Sequence, residues 1–118
     1  VDDPDYAGSC RVIWQQHVKE MTDLSEADRG HIMAVVFAVE QVLRESLHPD
    51  KINLASLGNQ VPHLHWHVIP RFADDAHFPD PVWATRKRDP RTIGTDKIRL
   101  VEQLKRRLGE LRQMKTSR

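Results

Sequence analysis

The sequence lacks several features that would place it in a specialised class of protein. It has one cysteine, Cys10, in 118 residues, so no disulfide can form within the chain, and a reducing, cytoplasmic location is predicted. No apolar run approaches the ~20 residues that a membrane-spanning helix needs, and we expect no signal peptide from the residues at the start of this sequence. The formal net charge of +1 offers no overall attraction to nucleic acid. The remaining composition, 39% hydrophobic and 30% charged, is typical of a globular protein.

Basic residues are nevertheless grouped in two places. One group lies between Arg86 and Arg91, and the other enriches the chain from Lys105 onward. Acidic neighbours such as Asp89 and Glu110 dilute the positive field of both groups. A solvated surface is therefore favoured over a nucleic-acid-binding patch.

The length allows one domain with a core of its own but not two. We predict a single domain over residues 1–118. Within it, residues 73–94 are rich in proline and aspartate and are predicted to form an irregular loop. Residues 95–114 are predicted to form a C-terminal helix. Because the chain begins at Val1 rather than Met, we expect the natural protein to extend further upstream.

A long amphipathic helix is predicted after Ser25. Ser25, with Asp28 three residues on, forms a capping box, and Pro49 marks the exit. The spacing of the apolar residues predicts a helix that packs on a sheet. The predicted core stripe is Ile32, Val36, Val39, Leu43 and Leu47, widened by Met33, Val35, Phe37 and Val42.

Three segments have the composition and alternation of strands: Cys10–Trp14, Lys51–Leu57 and Val61–Phe72. The last two are predicted to pair as an antiparallel hairpin. Strands on either side of a helix, followed by a second helix, indicate an α+β protein. The second helix is predicted to begin at an N-cap of Thr95. Its predicted stripe is Ile98, Val101, Leu104 or Lys105, Leu108 and Leu111.

Three histidines, His63, His65 and His67, occupy alternate positions of the segment VPHLHWHVIPRF. Successive side chains of a strand point to opposite faces, so the three imidazoles are predicted to share one face. Leu64, Trp66 and Val68 then point into the core. Any polar residue would suit the solvent-exposed face of a strand. Exposure alone therefore does not explain three histidines, and a functional role is favoured.

Two chemistries would use such a row. Zinc is a common partner of imidazole, but the Cα atoms of His63 and His67 would lie ~13 Å apart on a strand, so a single ion would take two of the three plus a ligand elsewhere. Phosphate chemistry is the other. A neutral imidazole can attack phosphorus and a neighbouring imidazolium can stabilise the charge. The turn Gly58-Asn59-Gln60 would add backbone N–H donors for the phosphate.

Around these residues the sequence resembles the histidine-triad (HIT) family. HLHWHVI is similar to the family signature, His-x-His-x-His followed by two hydrophobic residues. GNQVPHLHWHVIPRF resembles the family's glycine-containing turn and strand. WQQHVKEMTDLS resembles its upstream segment, where a histidine precedes a helix beginning near Asp-Leu-Ser. The resemblance covers Asp3 to Phe72.

The resemblance implies an antiparallel sheet with helices packed on it, commonly assembled as a homodimer whose sheets join. It implies a hydrolase or transferase that acts on the α-phosphate of a nucleotide conjugate, such as a phosphoramidate or a dinucleotide. A nucleotide is then the expected partner. Neither a metal nor a cofactor is needed for the mechanism of this family.

The resemblance also implies roles for particular residues. His65 would attack and carry the nucleotidyl group, and His67 would contact the phosphate. His63 would orient His65, partly through its backbone carbonyl, and His17 would lie near the leaving group. Asn53 and Asn59 match polar positions that bind ribose or phosphate in the family. Together with Gly58 and Gln60, they are the predicted binding residues.

Departures from the family pattern keep two alternatives open. Gln60 stands where many members have Ser or Thr, which leaves the leaving-group preference open. A nucleotide-binding or regulatory module with negligible turnover is the first alternative, and a zinc-binding protein is the second. In the loop, Trp83 could line a pocket, contact a dimer partner or simply pack.

Overall fold

A computed structural model of the chain describes residues 3, 5–90 and 96–116, with side chains as far as 113. The elements are strand β1 (Cys10–Ile13), a 3-10 turn (Met21–Asp23), helix α1 (Glu26–Leu47), strands β2 (Lys51–Ala55) and β3 (His65–Arg71), and helix α2 (Lys97–Thr116). The strands form an antiparallel sheet in the order β1-β3-β2. This confirms the predicted α+β class.

Helix α1 begins where the sequence predicts. The hydroxyl of Ser25 accepts a hydrogen bond from the backbone N–H of Asp28 at 3.2 Å, which satisfies one of the free donors of the first turn. The helix packs one face onto the sheet around Val68. Phe37 is predicted to widen this face, but it is 53% exposed. It lies about 100° around the helix from buried Val36 and therefore outside the buried face. The buried residues of the helix are Ile32, Val36, Ala38, Val39, Val42 and Leu43.

Strand β3 begins at His65, four residues later than predicted. The backbone N–H of His63 donates to the carbonyl of Val61 at 2.8 Å, and that of Leu64 donates to the carbonyl of Val18. These bonds make 61–64 a turn rather than part of the ladder. The prediction that all three histidines lie on one strand is therefore wrong for His63. Leu64 and Val68 are buried, which confirms the prediction that the side chains next to the histidines point into the core.

Helix α2 packs against α1 with a face that includes Leu104, Leu108 and Leu111 as predicted, but not Ile98 and Val101 of its first turns. Leu100 is buried and Leu104 packs beside it, whereas Ile98 and Val101 are exposed. The side chain of Asp96 caps the helix by accepting a hydrogen bond from the N–H of Arg99 at 3.1 Å. The predicted cap, Thr95, lies outside the described residues. None of the helices in the described part of the chain is long and apolar enough to cross a membrane.

Residues 72–90 contain neither helix nor strand, and a buried ion pair attaches them to β3. Arg71, the last residue of β3, is 2% exposed and bonds through Nε to Asp75 at 2.7 Å. The same carboxylate accepts hydrogen bonds from the backbone N–H groups of Phe72, His77 and Phe78. This segment is thereby held against the end of the sheet. Residues 91–94 of the predicted loop lie outside the described residues.

Candidate active site

Two of the three histidines share the face of the sheet that points away from α1. In the antiparallel register His67 lies opposite Arg11 of β1 and Ala55 of β2, and His65 lies opposite Ile13. Directly paired residues point to the same side of a sheet, so Arg11 and the two histidines form one surface. The side chains between them pack into the core.

A cavity of about 660 Å³ is lined by these two rings. The turn after β2, the strand β1 and the segment after β3 all contribute walls. Both rings are half buried, so they are neither sealed in apolar packing nor fully solvated. The lining residues are Arg11, Leu57, Gly58, Asn59, Gln60, Val61, His65, His67 and Trp83.

The tautomer of His65 follows from its partner. Its Nδ1 lies 2.6 Å from the backbone carbonyl oxygen of His63. A carbonyl can only accept, so Nδ1 carries the proton and donates. In the neutral ring the lone pair is then on Nε2. His65 therefore offers a nucleophilic nitrogen in a ring that lines the cavity.

His63 lies behind His65 and does not line the cavity. Its Nε2 donates to the backbone carbonyl of Trp14 at 2.5 Å, so its Nδ1 is the acceptor in the neutral ring. Nδ1 of His17 lies 3.2 Å from that acceptor, and the two rings stack with centroids 5.4 Å apart. The structure thus places His17 beside His63 rather than in the cavity.

His67 lies edge-to-face with His65, with ring centroids 5.1 Å apart. Burial lowers the pKa of His67 below its ordinary 6.5, and the neighbouring charges of His65 and Arg11 lower it further. At neutral pH the ring is therefore neutral in the free protein. A bound anion would oppose these causes and favour the imidazolium.

The predicted phosphate-binding residues fall into two groups. Gly58, Asn59 and Gln60 line the cavity, and Gly58 has a φ of +74°, a backbone conformation that explains glycine there. Asn53 lies on the same face of the sheet as His67 but outside this cavity. Its Oδ1 accepts a hydrogen bond from Arg71 at 2.8 Å.

Asn53 instead lines a second cavity of about 470 Å³ at the β2 edge. Trp83 borders both cavities and is 64% exposed. The indole therefore lies between the histidine cavity and the asparagine. Of the roles left open for Trp83, lining a pocket is the one the structure supports.

A zinc site has no complete ligand set in the described part of the chain. No three side chains of His, Cys, Asp or Glu come together there in an arrangement that could hold a metal ion. His17 pairs with His63 and His65 lies near His67, but each pair lacks a further ligand. Cys10 is a half-buried free thiol whose pKa is raised by burial.

Sequence reasoning did not find Arg11. The alternation of CRVIW places Arg11 on the opposite face from Val12, but nothing local shows which residue lies across from it. The pairing of β1 with β3 brings it beside His67. The buried Arg71–Asp75 pair was missed as well, although its spacing of four residues across a turn was a visible signal.

The fold and the paired imidazoles over a cavity define a histidine-triad type of protein. The model of the HIT domain family matches residues 1–74. This match covers more than half of the chain, so the chain belongs to the HIT domain family.

Solved structures and curated relatives agree with this family. A histidine triad protein of Bradyrhizobium japonicum is 30% identical, with a TM-score of 0.70 over 87% of this chain and 78% of that one. A histidine triad protein of Marinobacter aquaeolei VT8 is 28% identical, with a TM-score of 0.68 over 87% and 75%. An AP-4-A phosphorylase of Mycobacterium tuberculosis is 29% identical over 77 residues. That match takes in 60% of this chain but only 40% of the length of the phosphorylase.

Proposed function

We propose that this chain is a nucleotide hydrolase or transferase that cleaves at the α-phosphate of a nucleotide conjugate, with His65 as nucleophile. The observation that carries the proposal is the bond from Nδ1–H of His65 to the carbonyl of His63, which leaves Nε2 free to react in a ring that lines the cavity. Membership of the HIT domain family and the similarity to an AP-4-A phosphorylase support it.

The reaction has two displacements. The Nε2 lone pair of His65 forms a bond to the α-phosphorus, and the bond from phosphorus to the leaving group breaks. The leaving group departs with that electron pair, as an anion or after taking a proton from solvent. Water, or another acceptor in a transferase, then attacks the phosphorus and breaks the P–N bond. Neutral His65, the nucleotidyl product and one proton result.

The other residues act on charge and position. Backbone N–H groups of the turn at Gly58, Asn59 and Gln60 are available to the phosphate oxygens. His67, once protonated beside a bound phosphate, stabilises the negative charge of the transition state. His17 acts through His63, and Trp83 offers a flat apolar surface to a nucleobase. Asn53 would serve the part of a longer substrate that reaches the second cavity.

The test is to quench the protein with a labelled dinucleoside tetraphosphate or nucleoside phosphoramidate and to map the labelled residue. We expect a nucleotidyl group on His65, and we expect His65→Ala to abolish both the adduct and release of nucleoside monophosphate. The matched control is His31→Asn, since His31 lies outside the histidine cavity and contacts Trp14. Full activity in His65→Ala, or label on another histidine, would refute the proposal.

A nucleotide-binding or regulatory module with negligible turnover is the second candidate. This candidate requires that the ring of His67, whose pKa is lowered in the free protein, stays neutral when a phosphate binds, since a neutral ring stabilises phosphate charge less well than an imidazolium. Tight binding of nucleoside monophosphate without turnover across a panel of conjugates would select this candidate.

Assembly and location belong to the same proposal. We propose a homodimer, which light scattering of the purified protein tests directly, and a cytoplasmic location. The exposed apolar side chains of Ile13 and Phe37 are available to a second copy. A monomeric mass at micromolar concentration would remove the dimer from the proposal.

A further inference from the structure

Arg11 is an exposed residue of β1 whose side chain lines the histidine cavity. Of the described residues that line the histidine cavity, it alone carries a permanent charge. Arg71, Arg86 and Arg107 are each held by a carboxylate. No hydrogen bond or ion pair holds the guanidinium of Arg11 within residues 3, 5–90 and 96–113.

The position of Arg11 relative to the two histidines is set by the sheet. It is the cross-strand partner of His67, so their Cβ atoms are about 4.5–5.5 Å apart. β3 lies between β1 and β2, and the glycine turn continues from β2. Arg11 therefore enters the cavity from the β1 side, and the turn enters from the β2 side. A phosphate held between the turn and His65 would leave the guanidinium free for further anionic groups.

We propose that Arg11 binds phosphates beyond the α-phosphate, so that the site prefers conjugates with an anionic polyphosphate leaving group. The inference rests on the proposed function, and it names the substrate class of that site. A guanidinium has a fork of donors that matches phosphate oxygens, and it stays charged at every relevant pH. A dinucleoside polyphosphate places two or more phosphates in the cavity, whereas a phosphoramidate with a neutral leaving group places only one.

The electrostatics of the cavity agree with this assignment. Arg11 has no counter-charge in the described part of the chain, and its charge disfavours protonation of His67. A polyphosphate would supply negative charge to both groups together. A neutral or cationic leaving group would leave the guanidinium without a partner.

The test compares two substrates in three proteins: wild type, Arg11→Gln and the control Arg44→Gln. Arg44 is exposed near the end of α1, so the control removes the same charge away from the cavity. For Arg11→Gln we expect kcat/KM for a dinucleoside tetraphosphate to fall about tenfold or more, and kcat/KM for a neutral-leaving phosphoramidate to change by less than about threefold. Arg11→Lys should restore part of the loss, and Arg44→Gln should match wild type.

A binding measurement separates this inference from the proposed function. Calorimetry with adenosine mono- and triphosphate, in metal-free buffer, should show tighter binding of the triphosphate by wild type, and Arg11→Gln should lose that preference. If the preference depends on Arg11 but wild type turns over neither conjugate, the proposed function fails and the assignment of Arg11 stands. If wild type turns over both conjugates and Arg11→Gln lowers kcat/KM equally for both of them, or for neither, the assignment is wrong. Absence of any triphosphate preference in wild type also overturns it.

Discussion

At the scale of single residues, His63 and His65 act together although only one of them lines the cavity. The carbonyl of His63 fixes the proton of His65 on Nδ1, and the ring of His63 is itself held by Trp14 and His17. A histidine without such a partner would divide its proton between the two nitrogens and rotate about its side-chain bonds. A backbone carbonyl and two anchored rings therefore hold Nε2 of His65 in one tautomer and one direction.

A prediction at this scale concerns the protonation of His67. In the free protein we expect its ring signal in NMR to titrate below 6.5, because burial and the charges of His65 and Arg11 lower its pKa. Saturation with nucleoside monophosphate should move the midpoint upward, since a bound phosphate stabilises the imidazolium. His67→Gln identifies the signal. A midpoint that stays unchanged on binding would show that His67 does not contact the phosphate.

At the scale of elements, the carboxylate of Asp75 anchors the segment 72–90. Asp75 is 4% exposed and accepts bonds from Arg71, from three backbone N–H groups and from Tyr6. Burial alone would raise the pKa of Asp75, but these hydrogen bonds outweigh it and hold the pKa well below its ordinary 3.8. Trp83, the wall shared by both cavities, lies in the segment that this carboxylate anchors.

Asp75→Ala is therefore expected to lower the free energy of unfolding by about 3–5 kcal/mol, because it leaves Arg71 charged and buried without its partner. Urea denaturation followed by tryptophan fluorescence measures the change. The matched control is Asp5→Ala, which removes the partly exposed pair with Arg86 and should cost less than about 1 kcal/mol. Equal losses in the two variants would mean that the buried network does not anchor the segment.

At the scale of the whole molecule, the buried groups predict how stability depends on pH. The folded-state pKa of Asp75 lies below its unfolded value, so its contribution is complete above about pH 5 and is lost as the pH falls below about 4. His67 acts in the same direction: below 6.5 the unfolded chain binds a proton that the folded protein resists. Stability should therefore decrease in acid, by up to about 1.4 kcal/mol per pH unit for each proton.

Denaturation curves between pH 7 and pH 3 measure this dependence. His67→Gln should remove the part of the slope just below pH 6.5, and Asp75→Asn should remove the part below pH 4. The prediction fails if the slope in both ranges is the same in the variants as in wild type.

The sequence by itself determined those features that depend on neighbours along the chain. Ser25 and Asp28 set the start of α1, the apolar spacing identified most of its buried face, and the alternation around Val68 predicted which side of β3 is core. The histidine motif pointed to phosphate chemistry and to the family. Each of these features arises from hydrogen bonds or side-chain directions within a few residues.

Only the tertiary structure decided which distant residues meet. His63 lies outside β3 because its own N–H donates to the carbonyl of Val61 and that of Leu64 donates to the carbonyl of Val18. Arg11 joins the site because β1 pairs with β3 in one register. Phe37 and Ile98 are exposed because packing selects which part of a broad apolar face is covered. Strand register and helix rotation come from contacts between segments far apart in the chain, so no local pattern contains them.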